Sequence, residues 1–305
     1  MSGRLEATFK RLRDKSEKAL ITYLMAGDPG LAETEQLVVA LEQAGADIIE
    51  LGVPFSDPIA DGPVIQQAAE RALRSGTSLR KILDSVKSLR QRTEIPIVLM
   101  LYYNSIHAMG CEAFCSAAKA AGVDGLIVPD MPPDEAGPLK GPADAAGLQL
   151  IFLLAPTSTP SRRKLVARES HGFVYYVSLT GITGSKLSNV GDVQDNVKKL
   201  RKVSTAPVAV GFGVATPEDA ARVSKVAATR WLGSSAITRM RRSVAGPKPT
   251  LPAGASRAGR NFRPGSQNSS GSPALSPLPP PSFVHRAAAG ATSLPASTTR
   301  AVEAV

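Results

Sequence analysis

The sequence predicts an α/β fold of the (β/α)8 class, a TIM barrel built as a single domain. Eight short aliphatic runs recur along the chain about 25 residues apart, and segments of helical periodicity lie between them. Strands that are apolar throughout are typical of parallel sheets covered by helices. Eight such units are the number found in this barrel. The same alternation leaves a doubly wound open sheet as the alternative.

The predicted elements follow one another in chain order. The strands are ALITYLMAG, DIIELGVPF, IPIVLMLYYN, GLIVPDMPP, LQLIFLLAP, FVYYVSLTG, APVAVGFGV and a weaker eighth, RWLGSSAI. The helices between them include LAETEQLVVALEQAGA, SLRKILDSVKSLRQRT, CEAFCSAAKAAGV and TPEDAARVSKVA. Several of these helices are followed by a glycine, which is typical of a helix C-terminus. In such a barrel the chemistry lies where strands end in loops.

The net charge of +10 is concentrated at the end of the chain. Nine of the 36 Lys and Arg residues but one of the 26 acids lie after residue 238, so residues 1–238 carry only +2. The last 67 residues also contain ten prolines. We therefore expect a barrel domain over residues 1–242 and a disordered tail over residues 243–305. A solvated tail without a nucleic-acid partner is the expectation, and non-specific binding to RNA is the alternative.

The composition also predicts the cellular compartment. Only Cys111 and Cys115 occur, and they form neither a disulfide framework nor a CxxC pair. The N-terminal segment is charged throughout, and the sequence has no charge-free apolar run of 18 residues. We expect a soluble protein of the cytoplasm.

Two acids, Glu50 and Asp61, are the candidate catalytic residues. Glu50 lies inside the apolar second strand, so its side chain points either into the barrel or into the helix layer. Burying a carboxylate there costs several kcal/mol unless it is paired or protonated. One interpretation is a buried Glu that bonds a neighbouring donor; the other is an acid/base that carries a proton near neutral pH. Asp61 follows in a proline-rich loop, where it either caps a helix or acts beside Glu50 as the ionised partner.

Three glycine-flanked loops predict a phosphorylated substrate. GITGS follows the sixth strand, GFGVATPEDA the seventh and GSSAI the eighth. Loops after the seventh and eighth strands are the usual phosphate site of barrels, and backbone amides near helix N-termini bind anions. Each glycine pair alone is weak evidence for a phosphate site, because glycines also occur in tight turns.

Seven segments stand out in order along the chain: ITYLMAGDPG, IIELGVPFSDPIADGPVIQQA, YYNSIHAMG, GVDGLIVPDMPPDE, FLLAPTST, GFVYYVSLTGITG and APVAVGFGVATPEDA. Over about residues 4–226 they resemble the tryptophan synthase alpha chain family. The resemblance implies a lyase that cleaves indole-3-glycerol phosphate to indole and glyceraldehyde 3-phosphate, in tryptophan biosynthesis, with no metal or organic cofactor. It further implies a pyridoxal-phosphate beta chain as partner in an α2β2 heterotetramer.

The resemblance also implies a role for each site residue. Glu50 is the general acid/base, and Asp61 accepts a hydrogen bond from the indole N–H. Substrate-binding residues are Tyr23, Met100, Tyr102, Tyr175 and Thr183. Phosphate-binding residues are Gly184, Gly213, Gly233, Ser234 and Ser235. Asp57 and the segment 54–61 lie at the partner interface as well as at the site.

After about residue 226 the sequence departs from the family pattern. Only GSSAI returns to it, so we expect an incomplete eighth unit and an aberrant C-terminal region. The aberrant end suggests one alternative to the beta-bound lyase, a non-catalytic or weakly active protein that binds or activates the beta chain. The sequence also leaves open a stand-alone lyase that releases indole and another phosphate-binding barrel enzyme, such as an isomerase or synthase of the same pathway.

Overall fold

The parallel strands of the protein form a closed ring. The computed structural model describes residues 3–177, 190–211 and 229–232, all within one unit, Met1–Gly246. The strands are β1 (Ala19–Met25), β2 (Ile48–Gly52), β3 (Ile97–Met100), β4 (Gly125–Ile127), β5 (Gln149–Ile151), β6 (Leu153–Leu154), β7 (Val174–Val177), β8 (Val208–Gly211) and β9 (Thr229–Leu232).

The order of these strands confirms the barrel and excludes the open sheet. One sheet has the order β5-β4-β3-β2-β1-β9, and the other has the order β6-β7-β8. Only Phe152 separates β5 from β6, so these two segments are halves of one strand. At the other junction β8 lies beside β9. The ring therefore has eight strand positions within the described residues, and each coincides with a predicted aliphatic run.

Helices connect the strands. They are α1 (Arg4–Asp14), α2 (Leu31–Gln43), α3 (Pro63–Arg74), α4 (Leu79–Leu89), α5 (Tyr103–Met109), α6 (Cys111–Ala121), α7 (Gly137–Ala146), α8 (Pro160–Glu169) and α9 (Val190–Arg201). The three predicted helices that fall on described residues are α2, α4 and α6. The helices named from the sequence were examples, and α3 was among those not named; it begins directly after Gly62 with proline at its first position, where the missing N–H is not needed. The predicted helix TPEDAARVSKVA lies outside the described residues.

Helix α1 covers the end of the ring where the strands begin. Its buried residues Leu5, Phe9 and Leu12 lie on one face. The ring of Phe9 meets that of Phe173, just before β7, edge to face at 6.0 Å. Leu5 lies against the start of β4, because a Cβ added to Gly125 would be 3.3 Å from its Cδ1. Helix α1 thus closes this end of the barrel and leaves the opposite end for the site.

A buried ion pair joins two elements at the same end. Arg90, just after α4, and Asp124, just before β4, are in contact at 2.8 Å, and their side chains are 9% and 8% exposed. The Asp124 carboxylate also accepts a hydrogen bond from the backbone N–H of Ile97 at the start of β3. Arg90 in turn donates to the carbonyl oxygens of Gly122 and Ile95. Both charges are therefore hydrogen-bonded where they are buried.

The end of the eighth unit is described only in part. Strand β9 pairs with β1 from Ala19 opposite Thr229 to Thr22 opposite Leu232. The incomplete eighth unit and the tail over residues 243–305 remain predictions, because those segments lie outside the described residues. Among the helices that are described, none combines the length and the apolarity needed to span a bilayer.

Candidate functional site

Glu50 lies in the middle of β2, where the sequence left two directions open for its side chain. The residue is fully buried. Its backbone is opposite Tyr23 of β1 and Val98 of β3. Gly52 lies two positions further along β2, so a side chain there would share the face of Glu50, and a Cβ added to it would lie 2.0 Å from the Oη atom of Tyr23. Burial and then the charge of Glu50 raise the pKa of Tyr175, which lies on β7 at the opposite side of the ring. Glu50 therefore shares its face with Tyr23, and this face is the barrel interior.

Two buried tyrosines share this interior with both acids. Burial raises the pKa of Tyr23 well above its usual range, and the charges of Asp61 and then Glu50 raise it further. Burial likewise raises the pKa of Tyr175, with added contributions from Glu50, Tyr23 and Asp61. Each hydroxyl thus lies within the electrostatic reach of both carboxylates. Glu50 and Asp61 thus lie near the same two phenol groups, and their catalytic roles stay predictions.

Two glycines leave room for the tyrosine hydroxyls. A Cβ added to Gly52, the last residue of β2, would lie 2.0 Å from the Oη atom of Tyr23. A Cβ added to Gly211, the last residue of β8, would lie 2.3 Å from the Oη atom of Tyr175. The hydroxyls therefore lie over the carboxyl ends of the strands, which is the catalytic end of a barrel. The sequence analysis missed these glycines, and their position at strand ends was the available signal.

Asp61 lies in the loop between β2 and α3 and is half-buried. Tyr102 donates a hydrogen bond from its hydroxyl to the Oδ2 atom of Asp61 at 3.2 Å. Burial raises the pKa of Asp61, and this hydrogen bond lowers it. Gln66 of α3 donates from Nε2 to the carbonyl oxygen of Asp61 at 2.8 Å. Asp61 is thus hydrogen-bonded to Tyr102 through its side chain and to Gln66 through its backbone.

Tyr102 connects the end of β3 to this loop at two points. Its ring stacks on Phe55, with centroids 5.2 Å apart and planes 29° from parallel. Its hydroxyl accepts a hydrogen bond from the backbone N–H of Ala60 at 2.9 Å. Burial and the charge of Asp61 raise the pKa of Tyr102. The resemblance placed the segment 54–61 at the site, but the contacts of Phe55 and Ala60 with Tyr102 could not be predicted, because they join positions more than 40 residues apart.

The other described candidates lie around these groups. Met100 is buried at the end of β3, opposite Gly52 of β2. Asp57 is exposed in the loop that holds Asp61 and accepts a hydrogen bond from the Ser56 hydroxyl. Asp130, an acid after β4 that the sequence analysis did not select, accepts a hydrogen bond from the backbone N–H of Tyr103. The remaining candidates lie outside the described residues: Thr183, Gly184, Gly213, Gly233, Ser234 and Ser235.

The geometry provides two carboxylates in unlike surroundings. Glu50 is fully buried on a rigid strand between apolar residues. Asp61 is half-buried and accepts a hydrogen bond from a hydroxyl that stabilises its ionised form. Unlike surroundings allow one carboxylate to exchange a proton while the other remains charged. Tyr23 on β1, Met100 at the end of β3 and Tyr102 just after it add buried apolar surface near the two acids.

Comparison with known sequences identifies relatives over most of the chain. A family model described as "Tryptophan synthase alpha chain" matches residues 9–260. The chain is 53% identical to the tryptophan synthase alpha chain of Geotalea daltonii over 235 residues, which cover 77% of this chain and 89% of the relative. It is 51% identical to that of Geobacter sulfurreducens over 243 residues, with coverage of 80% and 92%. The family match extends beyond residue 226, the last position to which the motifs were traced.

Solved structures show the same similarity. Tryptophan synthase subunit alpha from Legionella pneumophila superposes with a TM-score of 0.74 at 35% identity, covering 80% of this chain and 91% of that one. A tryptophan synthase structure from Mycobacterium tuberculosis gives a TM-score of 0.74 at 38% identity, covering 79% and 93%.

Proposed function

The chain belongs to the tryptophan synthase alpha chain family, and on that premise we propose how its residues cleave indole-3-glycerol phosphate to indole and glyceraldehyde 3-phosphate. The reaction is a retro-aldol cleavage of a carbon–carbon bond. One observation carries the proposal: Glu50 is fully buried opposite Tyr23, whose hydroxyl lies over the end of β2, and Asp61 accepts a hydrogen bond from Tyr102 at the end of the neighbouring strand β3. The carboxyl ends of neighbouring strands therefore offer a proton-transfer group and an anion.

The bond to be broken leaves its electron pair on the indole ring, so the ring must first become an electron sink. Glu50 donates a proton to the ring carbon, and the ring nitrogen then carries positive charge. Asp61 stabilises that charge by accepting a hydrogen bond from the N–H. As the carbon–carbon bond breaks, the glycerol hydroxyl gives its proton to Glu50, which restores the acid. Each of these roles matches the burial and the polarity of the carboxylate that carries it.

The remaining roles complete the site. Tyr23, Met100, Tyr102 and Tyr175 enclose the indole ring. Thr183 closes over the substrate from the loop after β7. The phosphate group binds to Gly184, Gly213, Gly233, Ser234 and Ser235, whose glycine-rich loops follow the strands of the usual barrel phosphate site.

We propose the tryptophan synthase beta chain as the partner, with Asp57 and the segment 54–61 at the interface. That segment is part of the loop that carries Asp61, so the partner contacts the site directly. We further propose a cytoplasmic location, which is supported by the free thiols Cys111 and Cys115.

The test is indole release from indole-3-glycerol phosphate by the full chain, with and without a beta chain. Glu50→Gln is expected to lower the rate by about 10²–10⁴-fold, the usual contribution of a general acid or base. The beta-chain reaction should still be stimulated by this variant. Glu17→Gln is the matched control, since Glu17 is exposed on the turn between α1 and β1 and should leave the rate unchanged.

The same assay separates the alternatives. A native chain that releases no indole but stimulates the beta chain is a non-catalytic activator. A chain that works equally fast without the beta chain is a stand-alone lyase. Full activity in Glu50→Gln would reject the assignment of Glu50.

A further inference from the structure

Tyr102 makes three contacts with the loop that carries Asp61, more than a residue that only lines a binding pocket would need. Its ring stacks on Phe55 near the start of the loop. Its hydroxyl lies at the other end, where it bonds both Ala60 and Asp61. Since Tyr102 follows β3 and is 5% exposed, these contacts connect a rigid strand end to a loop.

The hydrogen-bond directions define what the hydroxyl does. A phenol has one proton to donate and lone pairs with which to accept. The backbone N–H of Ala60 uses the Tyr102 oxygen as an acceptor at 2.9 Å. The phenol proton therefore points to Oδ2 of Asp61 at 3.2 Å. Such an arrangement favours the carboxylate over the carboxylic acid, because a hydrogen bond to a charged oxygen is stronger than one to a neutral oxygen.

The backbone beside Tyr102 is itself held in place. The carboxylate of Asp130, in the loop after β4, accepts hydrogen bonds from the N–H of Tyr103 at 3.0 and 3.2 Å. This contact fixes the corner at which β3 passes into α5. The phenol oxygen therefore reaches Asp61 from a backbone that is anchored on both sides, by β3 and by Asp130.

We propose that Tyr102 is a positioning residue, whose hydroxyl holds Asp61 ionised and aligned so that its Oδ1 atom is available to the ring N–H of the substrate. This inference rests on the proposed function and deepens it. Removing the hydroxyl frees Asp61 to rotate and withdraws the donor that stabilises its charge. Within the described part of the chain, the charged or titratable groups near Asp61 or Tyr102 are Glu50 on β2, Tyr23 on β1, Tyr175 on β7 and Asp130 after β4.

The test substitutes Tyr102→Phe, which keeps the ring that stacks on Phe55 and removes only the oxygen. Tyr103→Phe is the matched control, because its hydroxyl lies beside the Cys111 sulfur, at 3.7 Å, and not beside Asp61. In the full chain with the beta chain, Tyr102→Phe should lower kcat about tenfold with a smaller change in KM. The acid limb of its pH–rate profile should move to higher pH. Tyr103→Phe should move neither.

A second measurement does not depend on catalysis. In protein labelled with ¹³C at the aspartate carboxyl carbons, the Asp61 signal is assigned by its loss in Asp61→Asn and titrated by NMR. The expected result is a higher midpoint in Tyr102→Phe than in the native chain and in Tyr103→Phe. An unchanged midpoint would overturn the inference whatever the chain catalyses, whereas a shifted midpoint in a chain that makes no indole would reject only the proposed function.

Discussion

Gly52 and Gly211 determine where the interior tyrosines can place their hydroxyls. Each glycine ends a strand, and each is covered by a phenol oxygen at a distance that no Cβ would allow. The absence of a side chain at Gly52 therefore places the hydroxyl of Tyr23 within the reach of both acids. The positions of both phenol hydroxyls therefore depend on Gly52 and Gly211, which have no side chain.

At this scale we predict that Gly52→Ala disables the site. The new Cβ would lie 2.0 Å from Oη of the fully buried Tyr23, so the rigid ring must shift. Overpacking of this kind costs about 1–3 kcal/mol of the free energy of unfolding, and we expect at least a tenfold loss of indole release. Urea denaturation and the indole assay measure the two effects.

Gly137→Ala is the control for that substitution. Gly137 begins α7, and a Cβ added there meets nothing within 4 Å. Both the unfolding free energy and the activity should stay at the native level. Equal stability and activity in Gly52→Ala and Gly137→Ala would contradict the close approach of Tyr23.

At the scale of elements, the ion pair of Arg90 and Asp124 holds together the end of α4 and the starts of β3 and β4. Asp124 bonds Arg90, the start of β3 and, at 3.2 Å, Arg4 of α1. Burial lowers the pKa of Arg90, and the charge of Asp124 opposes that effect. The end of the barrel remote from the site is thus held by a charged junction.

We predict that Asp124→Ala lowers the free energy of unfolding by about 3–5 kcal/mol, because it leaves the buried Arg90 without its counter-ion. Chemical denaturation measures the loss. Glu94→Gln is the control, since Glu94 bonds Arg4 from a side chain that is 76% exposed and its loss should cost less than about 1 kcal/mol. If both substitutions lowered the free energy of unfolding by similar, small amounts, Arg90 would have to be hydrated or bonded to other groups once Asp124 is removed.

The sequence alone predicts the strands better than the helices of this fold. Strands buried on both faces read as aliphatic runs, so all eight positions of the ring were predictable. Helix α3 was not among the helices named from the sequence, and its first residues, from Pro63, continue a stretch rich in loop-forming residues. Glu50 was a candidate because an acid inside an apolar strand is costly. The contact between Tyr102 and Asp61 was not predictable, since nothing local connects residues 41 positions apart.

At the scale of the whole molecule, the composition and the family match give different positions for the C-terminal boundary of the domain. The composition places the boundary at residue 242, whereas the family match continues to residue 260. The two boundaries differ by the segment 243–260. Its composition predicts that it belongs to the tail, whereas the family match includes it in the domain.

We predict that two truncated chains, ending at residues 260 and 242, both release indole at the native rate and unfold at the native temperature. Activity assays and thermal denaturation measure these properties. If the chain ending at 260 is active and the one ending at 242 is unstable, the domain boundary lies between these two positions. A loss of stability in both would assign a structural role to the segment after residue 260.

Closure of the ring through β1 and β9 governs how the chain can fold while it is being made. The paired residues Ala19 and Thr229 are 210 positions apart, so β1 leaves the ribosome long before its partner is synthesised. Until then the growing chain exposes two unpaired strand edges, which are templates for aggregation. The pairing of β1 with β9 therefore cannot form before residue 232 has been made.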